Sequence, residues 1–381
     1  MPTLHLTGPI VVGEDDVRDE AWVVGGRITY QRPRHAGEVT TLAGTVIPGL
    51  VDVHCHVGLD SGGATDRDLA AKQATVDRDA GTLLIRDAGS PLDTSFVHDR
   101  DDLPRLIRAA RFIARPKRYL RHYAREIEPQ FLTAVAVEEA RKGDGWIKLI
   151  GDWIDRDEGD LSPLWTPAQL ADALAAVHAE GARATVHTFS EEAIDPLLAA
   201  GIDCIEHGTG MTEEHMRAAA TAGIPVVPTL LQVAQFEGYA DAGEAKFPRY
   251  AARMRRMHER RYEHVRHLWE AGVPLLVGTD AGGTLGHGLL PREAAEMVKA
   301  GVPAADAVAA ASWRARAFLR ADGLTEGASA DLVVYPEDPR QDIRALAHPS
   351  HVVLRGARTL TGRSGAGGTD GNPHPSSGEE S

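Results

Sequence analysis

His54 and His56 stand two residues apart at the end of an apolar, β-branched run that follows a Pro48-Gly49 turn. A short run of Val, Ile and Leu beside such a turn reads as a buried strand. On a strand, residues i and i+2 share a face, so two neighbouring imidazoles could hold one metal ion. Further along, His187, His207 and Asp280 each close another apolar, strand-like run. Neutral imidazole and carboxylate are the ligands zinc takes in hydrolytic sites. Lys148 lies inside the apolar strand Trp146-Ile147-Lys148-Leu149-Ile150. Desolvation there lowers its pKa, and a neutral amine reacts with carbon dioxide to give a carbamate. The two oxygens of a carbamate can bridge two divalent ions. The competing reading of Lys148 is a side chain reaching the rim to meet a carboxylate such as Asp152.

Eight strand candidates position these residues: 46–56, 81–87, 111–114, 146–150, 182–187, 202–207, 224–229 and 274–280. Ala-rich amphipathic stretches separate most of them, opened by Thr166-Pro167, Ser190 or Thr212 and closed by Gly181, Gly201 or Gly223. Those are helix caps. Strand and helix alternating to eight predict a (β/α)8 TIM barrel, over about 47–324, with its active site at the C-terminal strand ends. Short β-like runs fill residues 2–46, with Gly25-Gly26 as a hairpin turn, and recur at 330–335 and 352–356. The two ends, 1–46 and 325–360, are therefore expected to join in one small β-sandwich domain. Residues 239–272 read as a long helix or helix pair with a solvated charged face, and 363–381 as a disordered tail.

A net charge of −14 over 381 residues argues against nucleic-acid or anionic-membrane partners. The first ten residues do not resemble a secretory signal, and no run is long enough to span a membrane. Cys55 and Cys204 are too few for a disulfide scaffold. These features suggest a cytoplasmic protein acting on a small molecule.

Pro48-Gly49-Leu50-Val51-Asp52-Val53-His54-Cys55-His56, Ile147-Lys148-Leu149, Thr185-Val186-His187, Ile205-Glu206-His207-Gly208 and Gly278-Thr279-Asp280-Ala281-Gly282 together resemble the amidohydrolase superfamily. Their order and spacing are similar to its imidazolonepropionase-like and Xaa-Pro or Xaa-Arg dipeptidase-like branches, over about Met1 to Gly356. The resemblance implies two divalent metal ions, zinc being expected. His54, His56 and Asp280 would bind one ion, His187 and His207 the second, with the Lys148 carbamate bridging them beside a hydroxide. Asp280 would act as general base and then general acid in hydrolysing an amide, cyclic amide or dipeptide C–N bond.

The sequence departs from the dipeptidase-like pattern after the third strand, where Arg115, Lys117, Arg118 and Arg121 cluster with Tyr119 and Tyr123. Tyr119, Arg121 and Tyr123 are candidate substrate-binding residues, and the basic patch would suit a carboxylate. A solvated basic face pairing with Glu126 and Glu128 is the alternative. His287, in Gly286-His287-Gly288, is a further substrate-contact candidate. Arg86-Asp87 reads as a structural ion pair. No G-x-S-x-G elbow supports a serine hydrolase, and Gly62-Gly63 lacks the residues of a phosphate cradle. Two other functions stay open: a mononuclear deaminase or cyclic-amidine hydrolase on the same scaffold, and a catalytically inactive structural relative. Glu191 and Glu192 after His187 read as first-turn helix residues rather than a deaminase acid.

Overall fold

The computed structural model describes residues 2–34 and 37–359. Thr3–Val11 pairs antiparallel with Val17–Val24, which turns at Gly25-Gly26 into Arg27–Thr29. Both glycines take positive φ, 57° and 79°, which the tight hairpin demands. From the other end of the chain, Leu332–Tyr335 pairs antiparallel with Thr45–Pro48, so strands from both ends share one eight-stranded sheet. Period-two alternation buries Leu4 and Leu6 against Val46, Leu332, Val334 and Val353.

Between these ends, strands run parallel and alternate with helices. Leu50–Cys55, Thr82–Asp87 and Arg105–Arg108 form one parallel sheet. Ile113–Ala114, Trp146–Ile150, Arg183–Thr188, Cys204–His207 and Val226–Val227 follow in another. The segment after residue 274 lies between the last of these and the first strand. Leu275 bridges Val226, Ala281 bridges Cys55, and Asp280 N donates to His54 O at 2.7 Å.

The third strand differs from its expected span of 111–114. Its first part, Arg105–Arg108, pairs with Thr82–Asp87, and only Ile113–Ala114 pairs with Trp146–Ile150. Ala110, with φ +54°, breaks the run between them. The strand pattern is masked in sequence because Arg105 and Arg108 point out to Asp331 and Asp144, both at 2.9 Å.

The expected caps recur in part. Thr166 and Gln169 form a capping box at the start of Pro167–Ala179. Thr212 opens Glu213–Ala222, which ends on left-handed Gly223. Ser190 caps nothing with its side chain; its hydroxyl donates to Asp152 at 2.8 Å instead. Residues 239–272 are largely covered by a helix pair, Phe236–Gly243 and Pro248–Glu270. The expected tail, 363–381, lies outside the described residues. Among those described, no helix is long and apolar enough to cross a membrane.

Candidate metal centre

Leu50–Cys55 delivers His54, with His56 just past its end; Arg183–Thr188 delivers His187 and Cys204–His207 delivers His207. Asp280 follows the last parallel segment. His54 Nε2 and His56 Nε2 lie 3.0 and 3.1 Å from the same oxygen, Asp280 Oδ1. His207 Nε2 lies 3.0 Å from His187 Nδ1, and the His54 and His207 ring centroids are 5.1 Å apart. Ligand atoms of His54, His207 and Asp280 all fall within 4.8 Å of one another. Lys148 reaches this group through Glu206, whose Oε2 contacts the Lys148 amine and sits 3.5 Å from His54 Nε2.

This donor set fits a metal. Buried polar atoms are nearly always hydrogen-bonded, yet Nε2 of His54 and Nε2 of His187 have no hydrogen-bond partner among the described residues. The His54 nitrogen is close to Asp280 without the alignment an N–H donor requires. A buried His54 lone pair left unpaired beside Asp280 and His207 suits a shared cation. The rings are also oriented from behind: His56 Nδ1 donates to Gly89 O at 2.6 Å, and His207 Nδ1 meets Thr229 Oγ1 at 2.6 Å. Each leaves its Nε2 facing the cluster, as outer partners of ligating histidines do. His207, Thr229 and Asp280 all take positive φ, 64°, 45° and 58°. Such backbone strain, of order 1–3 kcal/mol per residue, concentrates at functional sites.

Electrostatics point the same way. Burial, followed by the Lys148 charge, pushes the His187 imidazole well below its ordinary value. Burial also brings His54 down to about 3, so these rings are neutral donors. Burial lowers Lys148 to about 7. It opposes ionisation of Asp280 too, but His54 and the other imidazoles outweigh it and hold that carboxyl well below the usual range.

Two functional positions lay inside the quoted motifs without an assigned role. Glu206 is fully buried and accepts from Arg86 Nη2 at 3.0 Å and Thr185 Oγ1 at 2.7 Å. It, not Asp152, is the partner of Lys148; Asp152 accepts from Thr188, Phe189 and Ser190. An acid within the apolar run 202–207 was the available signal, matching the lysine in 146–150. Asp52 accepts from His54 N, Thr279 N and Thr279 Oγ1 at 3.0, 3.1 and 2.6 Å, tying His54 to the segment that carries Asp280. Arg86 and Asp87 do not pair with each other. Adjacent strand residues face opposite sides, so Arg86 turns to Glu206 while Asp87 accepts from Thr94 at 3.1 Å.

A cavity of about 350 Å³ opens over His56, His187 and Asp280. Tyr119 and Tyr123 line it. Arg121 does not; it lines a separate depression with Lys117 and Tyr119. His287 is turned away from the cavity, with Nδ1 2.7 Å from Asp77 Oδ2 and 3.6 Å from Cys55 Sγ.

Gly278 is where backbone and site meet most closely. A Cβ there would lie 2.6 Å from His54 Cβ and 2.8 Å from His54 N. Gly278→Ala is expected to displace His54, lowering bound metal at saturation and the midpoint of thermal unfolding together. Unchanged values for both would show that the strand yields without cost.

The amidohydrolase family model matches residues 45–359. An uncharacterized protein of Mycobacterium tuberculosis (strain ATCC 25618 / H37Rv) is 48% identical over 343 residues, 90% of this chain and 92% of that protein. Among solved structures, a Xaa-Pro dipeptidase with bound methionine in its active site superposes with a TM-score of 0.81 at 22% identity, covering 94% of this chain and all of the other. The ochratoxinase of A. niger gives 0.77 at 16% identity, covering 94% and 95%. These likenesses, with the alternation of parallel strands and helices, give a TIM-barrel-type fold. The chain belongs to the amidohydrolase family and is a hydrolase of carbon–nitrogen bonds.

Proposed function

We propose that this chain is a binuclear metal-dependent amidohydrolase, cleaving an amide, cyclic amide or dipeptide C–N bond. His54, His56, Lys148, His187, His207 and Asp280 would hold the ions, zinc being the expected metal, with Lys148 as its carbamate. The observation that carries this reading is the convergence of the buried His54 and His56 imidazole nitrogens on one Asp280 oxygen beneath the cavity, with His54 Nε2 lacking a hydrogen-bond partner among the described residues. The same reading takes the parallel strands to close as a (β/α)8 barrel and the sheet from both chain ends to be a separate β-sandwich domain.

Divalent ions held there supply Lewis acidity toward a substrate carbonyl and toward water, whose ionisation they bring near neutral pH. Asp280, a carboxylate that lines the cavity, accepts the proton of the attacking water and returns it to the leaving nitrogen. Tyr119 also lines the cavity, and its hydroxyl makes no hydrogen bond among the described residues. Burial raises its pKa well above the ordinary phenol value, so it stays protonated and can donate to the developing oxyanion.

One observation favours a single ion instead. Lys148 is in contact with Glu206, and three ligands, His54, His207 and Asp280, already gather within 4.8 Å. Metal analysis of zinc-loaded protein separates the two readings, with about two ions per chain expected. Chelation should abolish hydrolysis and added zinc restore it. Full activity in metal-free protein would overturn both readings.

A further inference from the structure

We infer that the substrate portion held away from the metal ligands is an uncharged aromatic or apolar group, and that the cavity selects against a free carboxylate there. The inference rests on the hydrolase reading and goes beyond it by naming the substrate class.

Beyond His56, His187 and Asp280, the cavity wall is mainly aromatic, with Phe112, Tyr119, Tyr123, Trp153, Phe189, Tyr239 and Tyr250 among its lining side chains. The rings support one another edge to face, with Tyr119 5.6 Å from Phe112 and 4.6 Å from Trp153. Of the four phenols, Tyr119, Tyr123, Tyr239 and Tyr250, two are already engaged. Tyr123 donates to Asp60 O at 2.8 Å, and Tyr239 accepts from Gln232 Nε2 at 3.1 Å. No arginine or lysine is among the lining residues.

The nearby basic cluster does not make up for this. Arg118 is bound to Asp155 Oδ2 at 2.8 Å and Ser162 Oγ at 2.9 Å, and Arg115 points to Leu164 O. Lys117 and Arg121 line a separate depression instead. A carboxylate against this wall would lose its water without gaining a charged partner, which is costly. Guanidinium-to-carboxylate recognition, one of the two readings of the basic cluster, is thus absent from the cavity. A Xaa-Pro dipeptide carries such a carboxylate; a neutral anilide does not. The wall carries no acid besides Asp280 either, so a cationic group would also go without an opposite charge.

Three matched compounds test this on the zinc-loaded full chain: phenylacetanilide, its 4-carboxy derivative and its 4-trimethylammonio derivative. Turnover gives kcat/KM. Quenching of tryptophan fluorescence in metal-free protein gives binding, with Trp153→Phe showing which signal comes from the cavity. The neutral compound should exceed each charged one by at least about tenfold in both readouts, the size of one unpaired buried group. Equal or better binding or turnover of a charged compound overturns the inference, and so does failure of all three to bind. Metal-dependent turnover that prefers the acid would leave the hydrolase reading standing while the inference falls. Selective binding of the neutral compound with no turnover of any amide would do the reverse.

Discussion

Asp280→Asn is expected to lower kcat by about 10³-fold, in the middle of the range that one acid–base group contributes. Asparagine keeps the size of the side chain but can neither take a proton at neutral pH nor offer a charged oxygen. In the structure that oxygen lies 3.0 Å from His54 and 3.1 Å from His56, so in the proposed mechanism it would serve both the ligand set and the proton transfer. The two roles separate by measurement. Loss of ligation alone would lower the metal content and be offset by excess zinc. Loss of the proton acceptor would persist in fully loaded protein, with KM for a neutral anilide little changed. His54→Ala supplies the contrast, since that side chain is proposed only as a ligand: its defect should follow bound metal. An Asp280→Asn enzyme with full metal content and near wild-type kcat would remove Asp280 from the mechanism.

The site was legible where a polar residue interrupted an apolar run. His54, Lys148, His187, His207 and Asp280 are each conspicuous because a strand that must be buried carries a group that is costly to bury. Glu206 sends the same signal, but its meaning depends on Arg86, 120 residues away in sequence, and on Lys148. One strand read alone does not reveal that pairing. Local order also misled at Arg86-Asp87, where proximity in sequence suggested an ion pair that strand alternation prevents. The segment 105–125 was harder still. Arg115, Lys117, Arg118 and Arg121 read as one basic patch, but a left-handed residue at Ala110, another at Lys117 and a third at His122 turn the chain. Tyr119 and Tyr123 then enter the cavity, while Arg118 and Arg121 take other directions. Composition gives the charge of such a loop; only its turns decide which side chains line the cavity.

The buried charges beneath the proposed metal ligands lead to a second large effect, on stability. Arg86 and Glu206 are fully buried and Lys148 nearly so, in one connected set. Arg86 is further fixed by donating to Val53 O at 2.6 Å and by lying 4.9 Å from the Trp146 ring centroid. Removing one partner from a buried ionic set leaves the others uncompensated, which typically costs about 3–5 kcal/mol. Glu206→Gln should therefore lower the unfolding free energy by about that amount, measured by urea denaturation in chelator so that bound ions do not contribute. Lys148→Met removes the opposing cation. In the double variant, the two losses should sum to less than their separate values, because the amide introduced by Glu206→Gln no longer faces an unpaired ammonium. Additive losses would mean that Lys148 and Glu206 are energetically independent, and an unchanged midpoint for Glu206→Gln would mean that Arg86 does not need the carboxylate. The same pair bears on metal loading. If Lys148 becomes a carbamate when zinc binds, Glu206 keeps Arg86 and Thr185 as partners on its other oxygen. The penalty of Glu206→Gln should then be smaller in zinc-loaded protein than in chelator, since one of the two cations it neutralises is gone.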